Sequence, residues 1–328
     1  YDDFEEGEHY LELSVTEENM VEKVCSEFDK VVVIINANNA MELGWVNDYD
    51  QIGAVILAPG AGNTGFAALG EIMAGTVNPS GRTADTFVSD LTQTPTWNNF
   101  GNFSYTNVDD LKKQIAEKDS AAEGNMAQVN YVEGIYVGYK FYETAAAEGF
   151  IDYDKVVQYP YGYGLSYTTF SQTLDSVDFT VGSEGTAQVT VTNTGSVVGR
   201  DTVQVFYNPP YVNGGIEKAS VNLVDFAKTD LLAPGATETV TFTIALEDLA
   251  SYDSAEIKVA GGGYILEAGE YALSIRSDAH TPLDSKTFTV AEDIVYSEGR
   301  PSDKTAPSNL FDYAEPTVEV LSRKDHFA

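Results

Sequence analysis

The period of the apolar positions divides the chain in two. Before about residue 170, apolar runs are interleaved with segments repeating every three or four residues; from Ser171 onward apolar and polar residues alternate. SVTEENMVEKVCSEF places Met20, Val21, Val24 and Phe28 on the inner side of a short helix, with Thr16 as its cap. VVVIINA, Val31 to Ala37, is a β-branched run, the pattern of a strand buried on both faces. AMELGWVNDY reads as a short helix, GAVILAP (Gly53 to Pro59) as a second buried strand, and GFAALGEIMAG (Gly65 to Gly75) as a helix ending at a glycine. Alternating strands and helices predict a parallel sheet with helices packed on it. Two strands make a small sheet, so more of it is expected upstream of Tyr1.

Residues 88 to 130 are looser, with Trp97, Phe100, Phe103 and Tyr105 among Asn, Gly and Ser, and DDLKKQIAEKD as a short polar helix or solvated insert. Such aromatics either pin a loop to a core or stack on the apolar face of a sugar ring. YPYGYGLSYTTF, Tyr159 to Phe170, marks the change of period: Gly162 and Gly164 allow a tight turn while Tyr161, Tyr163, Tyr167 and Phe170 pack, the pattern of a seam between two domains. Beyond it TAQVTVTN, DTVQVFYN, ETVTFTIA, EYALSIR and KTFTV alternate at period two between Gly, Pro, Asn and Asp turns. About seven strands over ~120 residues is the size of a fibronectin-III or immunoglobulin-like sandwich. The class is therefore α/β plus all-β. Residues 1–170 form a partial α/β sandwich, 171–292 a β-sandwich and 293–328 an extended tail stiffened by Pro301, Pro307 and Pro316.

Charge narrows the partners. Lys+Arg 18 against Asp+Glu 51 leaves a net charge of -33, which repels nucleic acid and anionic membrane and suits a neutral ligand. Cys25 is the single cysteine, expected as a buried thiol, so no internal disulfide forms and the redox compartment stays open. His9, His280 and His326 are far apart without ligand spacing, which speaks against a metal site. The chain begins without Met and carries neither a signal peptide nor a long apolar run, the expectation for a fragment or processed piece.

Two stretches carry candidate chemistry. Gly60, Gly62 and Gly65 follow a strand and precede a helix, and Asp85 lies about twenty residues on, as a dinucleotide-binding turn requires. Against that reading, Asp85 follows the turn NPSGR instead of ending a strand, and no further βαβ unit appears; a tight turn accounts for the glycines. In YVEGIYVGYKFYE, Glu133 sits in an aromatic, glycine-broken segment where burial could raise its pKa as a general acid requires. The alternative is a structural carboxylate satisfied by backbone N–H groups or Lys140, and Glu143 is the second carboxylate of the segment.

VNPSGRTADTF (Val77 to Phe87), YVEGIYVGYKFYE (Tyr131 to Glu143) and YPYGYGLSYTTF, in this order, resemble the non-barrel part of a glycoside hydrolase family 3 β-glucosidase. The resemblance implies an α/β sandwich domain joined to a fibronectin-III-like domain, the latter matched by VTNTGSVVGRDTVQVFY and VNLVDFAKTDLLAPGATETVTFTI. PGAGNTG departs from the family's commoner acidic-glycine turn. SNLFDYAEPTVEVLSRKDHFA is similar to the entry into the catalytic barrel of members with reversed domain order, which implies a barrel beyond Ala328.

Retaining glycosidases need two carboxyl groups about 5–5.5 Å apart. The family's nucleophile is a barrel Asp, and its acid/base in the β-glucosidase branch is a Glu in a loop that this resemblance places just before Tyr1. It implies a retaining β-glucosidase with a carbohydrate substrate and no cofactor, to which this chain gives one wall. The resemblance implies that Tyr1 and Asp2 lie nearest the substrate; Glu5 and Glu6 fall too late in the pattern, and Glu133 is left as the weak catalytic candidate. The rival readings are a non-catalytic carbohydrate-binding or surface protein and the dinucleotide enzyme. A homo-oligomer is left open.

Overall fold

A computed structural model describes residues 9–99, 103–118, 128–179, 184–308, 315 and 318–327. Helix α1 spans Val15–Glu27, and its cap is Ser14 instead of Thr16. Ser14 Oγ accepts from Glu17 N and Glu17 Oε2 accepts from Ser14 N, so Ser-x-x-Glu satisfies both backbone donors reciprocally. Cys25 is the buried residue of this helix; Met20 and Phe28, expected inside, are 58% and 62% exposed.

Strand β1 (Val31–Ile35) pairs in parallel with β2 (Ile52–Leu57), as strand–helix alternation predicts, and a single 3-10 turn (Gly44–Asp48) replaces the intervening helix. One face of the pair packs Ile35, Val55 and Leu57 on Leu43, Val46 and Phe87. The other face leaves Val32 and Ile34 exposed, so β1 is not buried on both faces: nothing among the described residues covers it. Helix α2 (Phe66–Met73) has an apolar sequence and no buried residue, and Gly75 ends it with φ +74°. Strand β3 (Phe87–Val88), helix α3 (Val108–Lys118), helix α4 (Tyr139–Ala147), the single turn α5 (Tyr153–Val156) and strand β4 (Val157–Tyr159) follow, with β3 antiparallel to β4.

The β-sandwich comes next. Strands β5 (Phe170–Asp178) and β6 (Glu184–Asn193) join β9 (Thr237–Ala245) in one antiparallel sheet. Strands β7 (Thr202–Asn208) and β8 (Asn222–Lys228) join β12 (Gly269–Arg276) and β13 (Pro282–Val290) in the other, in the order β13-β12-β7-β8. Period-two alternation turns Val189, Val191, Phe242 and Ile244 of the first sheet toward Val203, Val205, Leu273 and Ile275 of the second, all of them buried. A small sheet of β10 (Ser251–Asp253), β11 (Gly263–Leu266) and β14 (Ile294–Tyr296) flanks this core, so part of the stretch read as tail is a strand.

The three quoted strings meet where the two parts join. Asn78 Oδ1 accepts from Tyr167 N and Ser166 Oγ, while Thr83 and Gly162–Tyr163 exchange backbone bonds. Tyr139 stacks on Tyr161 at 4.8 Å and meets Phe206 of β7 edge-on at 6.0 Å. The Tyr139 hydroxyl accepts from Leu223 N, Ala279 N donates to Tyr161 O, and Arg82 pairs with Asp201 at 2.9 Å. Gln204 Nε2 donates to Gly162 O and Ser277 O, so one β7 side chain ties the aromatic turn to the β12–β13 connection.

Gly162 is required twice over: its φ is +81°, and a Cβ there would lie 2.1 Å from Gln204 Oε1. Gly149 shares the left-handed conformation (φ +75°) with open space around it. Gly149→Ala should therefore cost about 1 kcal/mol from backbone strain alone. Gly162→Ala should cost about 2–3 kcal/mol, because Gln204 must also give way. Urea unfolding separates the two, and equal losses would show that the seam does not constrain this turn. At the other end of the domain, Ser14→Ala should cost about 1 kcal/mol, and adding Glu17→Ala should cost little more because each residue caps the other. Amide exchange over Val15–Glu18 reads this double-mutant cycle.

Candidate functional site

Gly134 and Gly138, with φ +54° and +57°, bend the chain between Tyr131 and α4 so that Glu133 points inward and is 1% exposed. Its Oε2 accepts from Asn99 Nδ2 at 2.8 Å, and its backbone carbonyl accepts from Tyr136 N. The partner is thus a neutral side-chain amide, not the backbone N–H groups or Lys140 of the sequence expectation. Burial alone pulls the Lys140 ammonium below its usual range. Among the described residues, no second carboxylate hydrogen-bonds to Glu133. Asn99 was not legible as that partner, being one of several asparagines in a polar loop.

Glu143, the other carboxylate of this segment, is buried on α4 and lies 3.0 Å from His280 Nδ1 across the domain boundary. The Tyr153 ring stacks on His280 at 3.6 Å, and its hydroxyl is pushed up by burial first and the Glu143 charge second. Arg276, also buried, donates to Ser274 Oγ and Ala279 O; desolvation draws its pKa down while Glu143 and Asp278 oppose it. This cluster is a joint between two domains, with each group engaged by a neighbour. Asp85 is pushed up by burial, opposed by a bond from Thr86 N, and Tyr142 is pushed up by burial first and the Asp85 charge second.

Among the described residues His9 comes closest to a metal site, through a partner, Glu42, that sequence spacing did not reveal. Its Nε2 lies 2.9 Å from Glu12 Oε1 and 3.4 Å from Glu42 Oε1. Leu11 N donates to His9 Nδ1, which assigns the ring proton to Nε2, a buried atom with no hydrogen-bond partner among the described residues although two carboxylates lie close to it. Trp97 rests against the His9 ring at 4.6 Å, so this loop aromatic is pinned, whereas Phe103 stays 43% exposed.

Gly60 and Gly62 take φ +55° and +60° in the turn before α2, while Gly65 is right-handed. Asp85 precedes β3, which belongs to the β3–β4 pair and not to the parallel sheet, so the acid stands away from the position a dinucleotide fingerprint assigns it. Tyr1, Asp2, Glu5 and Glu6 lie outside the described residues, as does Phe100. Among the described residues no helix is long and apolar enough to cross a membrane.

Residues 2–139 match the glycosyl hydrolase family 3 C-terminal domain and residues 201–279 the fibronectin type III-like domain. The chain is 33% identical over 322 residues to beta-glucosidase A of Butyrivibrio fibrisolvens, covering 94% of this chain and 35% of that protein. It is 30% identical to a beta-glucosidase of Ruminococcus albus, covering 94% and 29%. Beta-glucosidase 3B of Thermotoga neapolitana, solved in complex with glucose, superposes with a TM-score of 0.70 at 30% identity over 87% of this chain and 35% of that one. The chain thus spans about a third of the length of these relatives. It belongs, through its α/β and β-sandwich parts alike, to glycoside hydrolase family 3, whose C-terminal and fibronectin type III-like domains it carries.

Proposed function

We propose that the polypeptide to which this chain belongs is a retaining β-glucosidase releasing terminal β-D-glucosyl residues from β-glucosides or cello-oligosaccharides. The observation that carries this reading is the alignment of both domains and the seam between them with beta-glucosidases over most of the chain. Residues 1–170 form part of an α/β sandwich, 171–292 the fibronectin-III-like buttress, and 293–328 the lead toward the catalytic barrel. The exposed apolar side chains of Val32, Ile34, Phe66 and Met73 support further polypeptide completing the α/β layer.

The two reactive carboxyl groups belong outside this chain: the nucleophile Asp in the barrel and the acid/base Glu before Tyr1. Tyr1 and Asp2 border the substrate. Glu133 is structural, which its burial and its amide partner Asn99 support. The chain supplies one wall of an interdomain active site, and the catalytic domain of the same protein is its partner.

Assayed alone on an aryl β-glucoside, the chain should show no turnover, and the enzyme containing it should. Within that enzyme, Glu133→Gln should leave kcat/KM within about threefold, whereas a general acid would lose about 10²–10⁴-fold. Turnover by the isolated chain that Glu133→Gln abolishes would overturn this reading. Cello-oligosaccharide affinity with no activity in any context would favour the binding-protein alternative.

A further inference from the structure

The last ten described residues before Ala328, 318–327, cross the domain boundary and are gripped from both sides. On the sandwich side, Glu217 accepts from the Ser322 hydroxyl, from Arg323 N at 2.9 Å and from the Tyr136 hydroxyl, which itself reaches across from the α/β side. Arg323 lies over the Tyr211 ring at 4.0 Å and donates to Lys218 O. On the α/β side, Arg323 Nε donates to Glu148 Oε1 at 2.5 Å, His326 meets the other oxygen of that carboxylate, and Phe327 sits among Tyr136, Phe141 and Phe150.

The backbone of this segment is strained. Asp325, His326 and Phe327 are consecutive non-glycine residues with φ +55°, +62° and +62°. L-residues adopt the left-handed region singly and reluctantly, so three in a row persist only where surrounding contacts over-determine them. Those contacts are present: Asn213 Oδ1 accepts from Asp325 N, Asn213 Nδ2 donates to Asp325 Oδ1, and His326 N donates to Arg323 O. The segment also holds the turn that carries Glu133. Leu321 N donates to Val132 O at 2.7 Å, and a Cβ on Gly134 would lie 3.6 Å from Val320 Cβ.

We propose that residues 318–327 are a strained clasp. Docking of Arg323 and Phe327 pins the α/β part to the β-sandwich, forces the left-handed turn, and fixes the Val132–Tyr136 turn in the orientation that buries Glu133. When the clasp opens, the turn at 325–327 relaxes and the Glu133 turn loses its brace. The clasp rests on contacts within this chain and stands whatever substrate the parent enzyme takes.

Trypsin reads it directly, because cleavage after Arg323 requires that side chain to leave Glu148 and Tyr211. In the folded chain the Arg323–Lys324 bond should be cut at least about tenfold more slowly than in a free peptide of residues 318–328, while exposed Lys304 is cut readily. Phe327→Ala should remove most of that protection and speed amide exchange at Gly134 and Tyr136, with far-UV circular dichroism unchanged. Equal rates in chain and peptide, or protection untouched by Phe327→Ala, would overturn the clasp. Unchanged exchange at Gly134 and Tyr136 in the opened variant would overturn its hold on the Glu133 turn.

Discussion

The stacking of Tyr139 on Tyr161, with Gly162 beneath the Gln204 amide, is the constraint on which the rest depends. Tyr139 opens α4, Tyr161 lies in the turn after β4, and Phe206 and Gln204 belong to β7 at the centre of the sandwich. One contact therefore fixes a helix, a turn and a strand from three distant parts of the sequence. Burial, followed by a bond from Leu223 N that works the other way, pushes the Tyr139 hydroxyl up to about 12, so it stays neutral wherever the protein is folded at ordinary pH. A neutral hydroxyl accepting a backbone bond suits a permanent joint.

The two parts do not contribute equally to that joint. The β-sandwich encloses one continuous core, in which each fully buried aliphatic side chain contributes about 1.5–3 kcal/mol. Among the described residues the α/β part has only small clusters around Leu43, Val46 and Phe87 and around Tyr136, Phe141 and Tyr142, with an apolar helix and a strand face exposed. Order in its later half is therefore borrowed through the seam, where α4 and the β3–β4 pair lean on the sandwich. This explains why the strings VNPSGRTADTF, YVEGIYVGYKFYE and YPYGYGLSYTTF were the informative ones: each must satisfy the same junction, so their residue types are tightly determined.

What the sequence made legible follows from the range of the interactions. Period-two alternation located the sandwich strands, because alternation records a local choice of faces. It missed β10, β11 and β14, strands of three or four residues, too short to show a period. The α1 cap was misplaced by two residues because Thr16 was weighed by type, whereas the reciprocal pairing of Ser14 with Glu17 decides the start. β1 reads as buried on both faces because its composition suits a covered strand, and composition cannot say whether the cover is present. Glu133 was found as an unusual carboxylate. Its amide partner Asn99, 34 residues earlier, and the bracing segment near Val320 could not be found, since no local pattern links them.

The scarce positive charges show how such an acidic chain stays assembled. With 18 bases against 51 acids, most carboxylates face water and one another, which favours solubility and opposes compactness. Several bases sit instead at joints between segments: Arg82 on Asp201, Lys228 on the Ser80 carbonyl, Arg276 on the Ala279 carbonyl, and Arg323 on Glu148. Arg82 and Arg323 are largely buried where they meet their carboxylates, 16% and 12% exposed, so salt screens them less than exposed surface pairs. Raising ionic strength therefore weakens the repulsion among surface acids more than it weakens these pairs, and the balance shifts toward the assembled form. For a chain of this charge, the joints are the places where electrostatics favours the fold.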